Sequence, residues 1–101
     1  MALTKWIPTT NLLMLRRMGK TIEELSELSN VASRCIIQGI DEIDPGTGRV
    51  NRDRLEDELA DVIAQCVVTI NLLKLDFPYI DERVIKKVGL MQEWESMFRE
   101  E

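Results

Sequence analysis

The chain has 101 residues, a net charge of −5, and 45% hydrophobic and 31% charged residues. This length corresponds to one domain, and this balance is typical of a folded chain rather than a disordered one. The acidic charge argues against a nucleic-acid or anionic-membrane partner, because both attract basic surfaces. No apolar run approaches the roughly 20 residues of a membrane-spanning helix, and residues 1–10 lack a signal-peptide core, so we expect a cytoplasmic protein.

The chain contains no histidine. That absence removes the usual zinc sites, the Ser-His-Asp and Cys-His nucleophile systems and the Glu-x-x-His ligands of di-iron bundles. Cys35 and Cys66 fall on apolar helical faces and form no CxxC motif, so they are predicted to be free, buried and structural. Any chemistry must therefore use carboxylates, a metal, or both.

The first half of the chain shows helical periodicity. A helix is predicted to begin after Thr9 or Thr10, and Gly19 is expected to bend or end it. A stronger pattern covers residues 20–38, with apolar side chains at helical spacing, and Gly39 stops it. We therefore expect one long or two consecutive helices before residue 40.

The second half of the chain begins with the only clear loop of the sequence. Residues 40–51 contain the turn-forming run DPGTG, and a helix is predicted from Asn51 or Arg52 to about Leu75. The sequence DFP at 76–78 ends that helix and starts the next one.

The last predicted helix covers about residues 79–99, and no strand pattern competes anywhere. Two of the predicted helices have around 20 residues, or roughly 30 Å each. Such slender elements leave one protomer little capacity to bury its apolar stripes. The sequence therefore predicts an all-α helical bundle completed by homo-oligomerisation, as a dimer or tetramer.

Two short acidic stretches repeat the same pattern. Residues 24–28 read ELSEL and residues 58–62 read ELADV, so each stretch has two carboxylates three positions apart. Residues at this spacing share a helical face, and in both stretches the first acid lies inside the apolar arc while the second borders it. Four such carboxylates on packed helices repel one another, and a hard divalent cation such as Mg²⁺ is their simplest partner.

An alternative interpretation of these acids needs no site. Acidic pairs are common on exposed helix faces, Glu is a good helix former, and acids near a helix start favour the helix dipole. In that case the chain would be a non-catalytic helical module for oligomerisation or partner binding. The two acidic pairs occupy the same position relative to the apolar stripe of their helix, and this repeated arrangement favours the metal site.

The acidic stretches resemble a known family motif. EELSE at residues 23–27, followed by ELAD at residues 58–61, is similar to the EExxE and ExxD signature of MazG-like all-α nucleoside triphosphate pyrophosphohydrolases. The resemblance covers roughly residues 12–75 and implies that 1–101 form a single MazG-like domain, with homo-oligomers as the family assembly. It also implies cleavage of (deoxy)nucleoside triphosphates to monophosphates and pyrophosphate.

The resemblance further implies a site. Glu24, Glu27, Glu58 and Asp61 would bind Mg²⁺, with Mn²⁺ as a substitute, and Glu24 or Glu27 would accept a proton from the attacking water. The preferred base and sugar, the number of ions and the choice between the two proton acceptors stay open.

An acidic site for triphosphates also needs cations. The candidates for the outer phosphates lie on the acidic helices and on the last helix: Arg17, Lys20, Arg54, Lys86 and Lys87. Each of them also fits an ordinary solvated or ion-paired side chain.

Overall fold

The computed structural model describes residues 4–98 as three helices. They are α1 (Leu12–Gln38), α2 (Asn51–Leu72) and α3 (Phe77–Ser96). The only β feature in this range is an isolated antiparallel bridge between Ile43 and Val50. None of these helices combines the length and apolarity needed to cross a membrane. The all-α prediction is confirmed for the described residues.

Helix α1 is one continuous helix. The expected end at Gly19 is wrong, because the helix continues through this residue. The residue that caps its start is Asn11 rather than Thr9 or Thr10. The side chain of Asn11 accepts a hydrogen bond of 3.0 Å from the backbone N–H of Met14. A glycine inside a helix costs only about 1 kcal/mol relative to alanine, which the hydrogen bonds on both sides outweigh.

Helices α1 and α2 form an antiparallel hairpin. The hydroxyl oxygens of Thr21 and Thr69 lie 3.5 Å apart at one end, and Cys35 Sγ lies 4.0 Å from the backbone oxygen of Asn51 at the other. Within residues 4–98 this is the one pair of helices in extensive contact. The hairpin therefore fixes which residues of the two helices face each other.

A buried polar network closes the hairpin. Asn51 is fully buried, and its Nδ2 donates to Gln38 Oε1 at 3.0 Å and to the carbonyl of Gly39 at 3.0 Å. Gln38 Nε2 donates in turn to Asp44 Oδ1 at 3.0 Å, and the backbone N–H of Thr47 donates to Asp44 Oδ2 at 3.0 Å. Because these buried groups satisfy one another, the loop ties the end of α1 to the start of α2.

The network predicts an acid-sensitive contribution to stability. The hydrogen bond from Gln38 holds the pKa of Asp44 below its usual value, and Thr47 and Arg54 lower that pKa further. A carboxylate whose pKa is lower in the folded than in the unfolded protein stabilises the fold fully at pH values above its unfolded pKa of about 3.9. This stabilisation is lost as the pH falls through the lower pKa of the folded state. We expect Asp44→Asn to destabilise the protein at pH 7 and to reduce the loss of unfolding free energy on acidification.

The measurement is urea unfolding between neutral pH and about pH 2.5. The exposed Asp81, on α3, gives a matched control, because Asp81→Asn should keep the wild-type pH dependence. An Asp44→Asn protein with the wild-type slope in acid would contradict the role assigned to the network.

Helix α2 ends at Leu72, three residues before the predicted end, in a Schellman motif. The backbone N–H of Leu75 donates to the carbonyl of Ile70 at 3.0 Å, and that of Lys74 donates to Asn71 at 3.4 Å. Lys74 adopts the left-handed conformation with φ 53°, which usually selects glycine. The absence of that glycine explains why the sequence pattern overran the helix end.

Helix α3 begins at Phe77, two residues before the predicted start. Asp76 caps it by accepting a hydrogen bond of 3.1 Å from the backbone N–H of Tyr79, and Pro78 lies in the first turn. The prediction that residues 76–78 start this helix is confirmed, whereas the prediction that they end α2 is wrong, because α2 stops at Leu72. The predicted end near Arg99 lies outside the described residues.

The left-handed lysine predicts a stabilising substitution. Lys74→Gly removes the clash of a side chain in this conformation, so we expect the free energy of unfolding to rise by about 1 kcal/mol. Urea unfolding measures the change. Lys86→Gly, inside α3, is the matched control and should lower the free energy by about 1 kcal/mol. Destabilisation by Lys74→Gly would contradict the strain assigned to this turn.

The predicted apolar stripes form but are not covered by the chain. Among the described residues Val31 is the only buried hydrophobic side chain, while Leu25 and Ile63 are 49% and 63% exposed. Both cysteines are free, as predicted. The predicted burial is wrong for Cys66, which is exposed because no other described residues cover its face of α2, and it is only partly met for Cys35, which is half-buried on α1. A single copy thus has an incomplete hydrophobic core.

Candidate metal centre

The hairpin brings three of the four predicted carboxylates together. Glu24 and Glu27 from α1 and Glu58 from α2 each offer one oxygen, and these three oxygens all lie within 4.8 Å of one another. Glu24 is buried, Glu58 is half-buried and Glu27 is exposed. The cluster is therefore closed on the side of the helix contact and open to solvent at Glu27.

Two oxygens of this acidic cluster have no hydrogen-bond partner. Glu24 Oε2 and Glu58 Oε2 are both buried and unpaired among the described residues. A buried, unpaired carboxylate oxygen is costly, so such groups normally find a donor or a cation. The donor set consists of oxygen alone, which suits Mg²⁺ or Mn²⁺ rather than a soft metal. The residues present therefore fit the cation that the sequence predicted.

The charge in the cluster is only partly compensated. Lys20 Nζ lies 3.4 Å from Glu24 Oε1, but it also lies 3.4 Å from Glu23 Oε2, and hydrogen bonds to these two acids raise the pKa of Lys20. The pKa of Glu27 is raised, chiefly by the negative charge of Glu24, then by burial and by the charge of Glu58. A further positive charge at the cluster would relieve this repulsion.

Asp61, the fourth predicted ligand, is not in the group of three. It is exposed on α2, about one turn after Glu58. Its role as a ligand therefore stays a prediction. Three carboxylates leave room in an octahedral Mg²⁺ shell for water and substrate oxygens.

The predicted phosphate-binding cations divide into two sets. Of the five, Lys20 is the only one within 4.0 Å of a cluster carboxylate in residues 4–98. Arg54 is held in the loop network instead, with Nη1 3.6 Å from Asp44 Oδ2 and 3.4 Å from Asn51 Oδ1, and its side chain is only 14% exposed. Arg17 is partly buried on α1, one turn before Thr21. The buried Arg54 has less freedom to bind phosphate than the sequence suggested.

The other two cations, Lys86 and Lys87, lie on α3. Both are exposed. Helix α3 makes no extensive contact with α1 or α2 in the described part of this chain. These lysines can therefore serve the acidic cluster of the same chain only if α3 moves, or that of another chain if two copies meet.

Gln65 was not among the predicted site residues, but it has the third unpaired buried oxygen. Its Oε1 is buried and lacks a partner. Because Thr21 faces Thr69, moving about one turn inward along each antiparallel helix brings Glu24 and Gln65 to the same level. Its spacing of seven residues from Glu58 places it on the same face of α2 as that acid, although a neutral amide is not a typical ligand for a metal or a phosphate.

Comparison of the chain with protein-family models, with curated proteins and with solved structures gives no match in any of the three.

The geometry predicts stabilisation by Mg²⁺. A ligand at one hundred times its dissociation constant stabilises a folded protein by about 2.7 kcal/mol, so Mg²⁺ should raise the melting temperature of the wild type. Glu24→Gln should lose most of this shift, because it removes the charge of the buried ligand. Thermal unfolding followed by circular dichroism gives the measurement.

Glu56→Gln is the matched control for the Mg²⁺ effect. Glu56 is exposed on α2, near the cluster in sequence but not part of it, so its variant should keep the wild-type shift. An equal shift in the Glu24 variant, or none in the wild type, would exclude the cluster as the binding site.

Proposed function

We propose that this chain is a Mg²⁺-dependent nucleoside triphosphate pyrophosphohydrolase of the MazG-like kind, which converts (deoxy)nucleoside triphosphates to monophosphates and pyrophosphate. The observation that carries the proposal is the convergence of Glu24, Glu27 and Glu58, with two buried oxygens lacking partners. The EExxE and ExxD motifs on two antiparallel helices, in a chain without histidine, support the same assignment.

The roles of the residues follow from their exposure and charge. Glu24 and Glu58 are suited to hold the ion, because their buried oxygens have no other partner. When bound, Mg²⁺ supplies positive charge to the phosphates and makes a coordinated water more acidic. Glu27 is the exposed member of the cluster and the acceptor we favour for the proton of the attacking water, with Glu24 as the alternative.

The reaction balances without a covalent intermediate. The water oxygen bonds to the α-phosphorus, the bond from that phosphorus to the bridging oxygen breaks, and pyrophosphate leaves with the bond electrons. The proton from water passes to the carboxylate. Lys20, beside Glu24, is the best-placed cation for the developing charge, with Arg17 one turn earlier on the same helix.

The assembly belongs to the proposal as well. The uncovered apolar stripes support a homodimer or homotetramer. Its proposed location is the cytoplasm, and its proposed small-molecule partner is a nucleoside triphosphate. The same exposed surface favours the second candidate, a non-catalytic helical module that binds another protein or itself. Catalysis with Mg²⁺ separates the two candidates.

The test incubates the purified protein with each deoxynucleoside and ribonucleoside triphosphate and Mg²⁺ in water labelled with oxygen-18. Attack on the α-phosphorus predicts pyrophosphate and a monophosphate that carries the label. Glu58→Gln and Asp61→Asn should each lower kcat by about 100-fold or more, the upper end of the loss seen for outer-shell partners of metal sites. Helical content should change little.

Glu56→Gln should keep the wild-type rate, which separates loss of a ligand from loss of acidic charge. Release of orthophosphate, or a label found in pyrophosphate, would contradict attack at the α-phosphorus. Full activity of Glu58→Gln would remove its metal role, and no product from any of the triphosphates would favour the non-catalytic module.

A further inference from the structure

A second cation, Arg49, lies near the acidic cluster at the end opposite Lys20. Arg49 stands two residues before α2, and its Nη2 donates to Asp57 Oδ2 at 2.7 Å. Asp57 directly precedes Glu58 along α2. Lys20 approaches from the other end of the hairpin, about one turn before Glu24 on α1. The two cations therefore stand at opposite ends of the cluster along the antiparallel helices.

The ion pair of Arg49 and Asp57 lies on the open face of the hairpin, the side on which Glu27 is exposed. At about 100° per residue, Asp57 is rotated from Glu58 by about 100°, in the same sense as Glu27 is rotated from Glu24 by about 60°. Equal senses of rotation on two antiparallel helices point to the same side of the pair. The guanidinium of Arg49 therefore shares the side from which solvent reaches the cluster.

The charge of the cluster is felt at Arg49. The pKa of Arg49 is raised, first by the hydrogen bond and the charge of Asp57, and further by the charges of Asp53 and Glu58. Charges on exposed side chains are screened by salt beyond about 10 Å. Arg49 is thus within electrostatic reach of a cluster acid, although it is hydrogen-bonded to an acid outside the cluster.

The loop fixes the backbone of Arg49 and leaves its end free. The N–H of Arg49 donates to Thr47 Oγ1 at 3.3 Å, and its carbonyl accepts a hydrogen bond of 2.9 Å from the N–H of Asp44. Asp44 is buried in the network that closes the hairpin. The side chain of Arg49 is 51% exposed. It therefore has a fixed base and a guanidinium that can change partners.

Phosphate is a better partner for this guanidinium than Asp57. Both side chains of the pair are exposed, and ion pairs of this kind contribute little to stability, so the exchange costs little. A guanidinium also presents its N–H donors in a planar fork that matches two phosphate oxygens. Lys20 is more constrained, because it is already shared between Glu23 and Glu24.

We propose that Arg49 binds the outer phosphates of the triphosphate, and that Asp57 holds its guanidinium beside the acidic cluster until the substrate arrives. The inference rests on the proposed function, in which the cluster receives the α-phosphate. The β- and γ-phosphates then extend toward the loop end of the hairpin, where Arg49 neutralises charge on the departing pyrophosphate. Asp57 is a positioning residue, because it acts through Arg49.

Arg52 gives a matched control within the chain. Its Nε and Nη2 donate to the two carboxylate oxygens of Asp41 at 2.7 and 3.1 Å, and both side chains are exposed, as in the pair of Arg49 and Asp57. Arg52 precedes Glu58 by six residues, which rotates it by about 120° to the opposite side of α2. Arg52→Ala therefore removes the same charge from the same end of the hairpin, but not from the open face.

The first experiment measures the binding of inorganic pyrophosphate to the full chain by calorimetry in the presence of Mg²⁺. Arg49→Ala should weaken binding by about tenfold or more, the usual effect of losing a hydrogen bond to a charged group. Arg49→Lys should recover only part of the affinity, because lysine lacks the fork. Arg52→Ala should bind as the wild type does.

The melting-temperature shift with Mg²⁺ alone should be the same in the wild type, Arg49→Ala and Arg52→Ala, which separates phosphate binding from damage to the cluster. The proposal would be overturned by a wild type that binds no pyrophosphate. Wild-type affinity in Arg49→Ala, or an equal loss in Arg52→Ala, would overturn it as well.

The second experiment tests the role of Asp57. Asp57→Asn releases Arg49, so it should strengthen pyrophosphate binding several-fold. Loss of a negative charge near the site has the same sign, and the double variant Arg49→Ala/Asp57→Asn separates the two causes. If Asp57 acts through Arg49, its substitution should change little in the Arg49→Ala background. An equal gain in both backgrounds would reject the positioning role.

The role of Arg49 and the proposed function fail separately. In an active enzyme, Arg49→Ala should raise KM for the triphosphate by about tenfold, whereas Arg52→Ala should not. Hydrolysis with an unchanged KM in Arg49→Ala would keep the enzyme and reject the role of Arg49. Pyrophosphate binding that depends on Arg49, in a protein that hydrolyses no triphosphate, would keep the phosphate contact and reject the enzyme.

Discussion

The mutual repulsion of three carboxylates is the constraint on which the rest of the structure depends. Glu24, Glu27 and Glu58 approach within 4.8 Å although each prefers water or a cation. Among residues 4–98, two of their oxygens are buried without a partner, and the one lysine close to them, Lys20, is shared with Glu23. Added positive charge would relieve the repulsion in such an arrangement, which is why the proposed function places an ion at the hairpin.

The hairpin can hold these acids together because both of its ends are fixed. Asn51 and Gln38 connect the helices through buried hydrogen bonds at the loop, and Thr21 meets Thr69 at the far end. By contrast, most of the apolar surface is still exposed. The single chain thus defines the register of its acidic side chains without burying its apolar stripes.

Local patterns in the sequence predicted the helices and the acidic pairs, because both depend on spacing along one helix. The same patterns did not predict features that depend on contacts between residues far apart in the sequence. Contacts between distant segments decide three features that spacing along one helix does not reveal. They are the ion pair of Arg54 with Asp44, the position of Asp61 outside the cluster, and the unpaired oxygen of Gln65. The left-handed conformation of Lys74 at the end of α2 was not predicted either, because glycine is the usual sequence signal for such a helix end.

Anomalous X-ray scattering from crystals grown with Mn²⁺ tests the central claim most directly. The account predicts an anomalous peak at about 2.2 Å from oxygens of Glu24, Glu27 and Glu58, because Mn²⁺ takes the same oxygen ligands as Mg²⁺. The account would be contradicted by a cluster without such a peak at saturating Mn²⁺, with a lysine or arginine from another copy paired to the buried oxygens of Glu24 and Glu58.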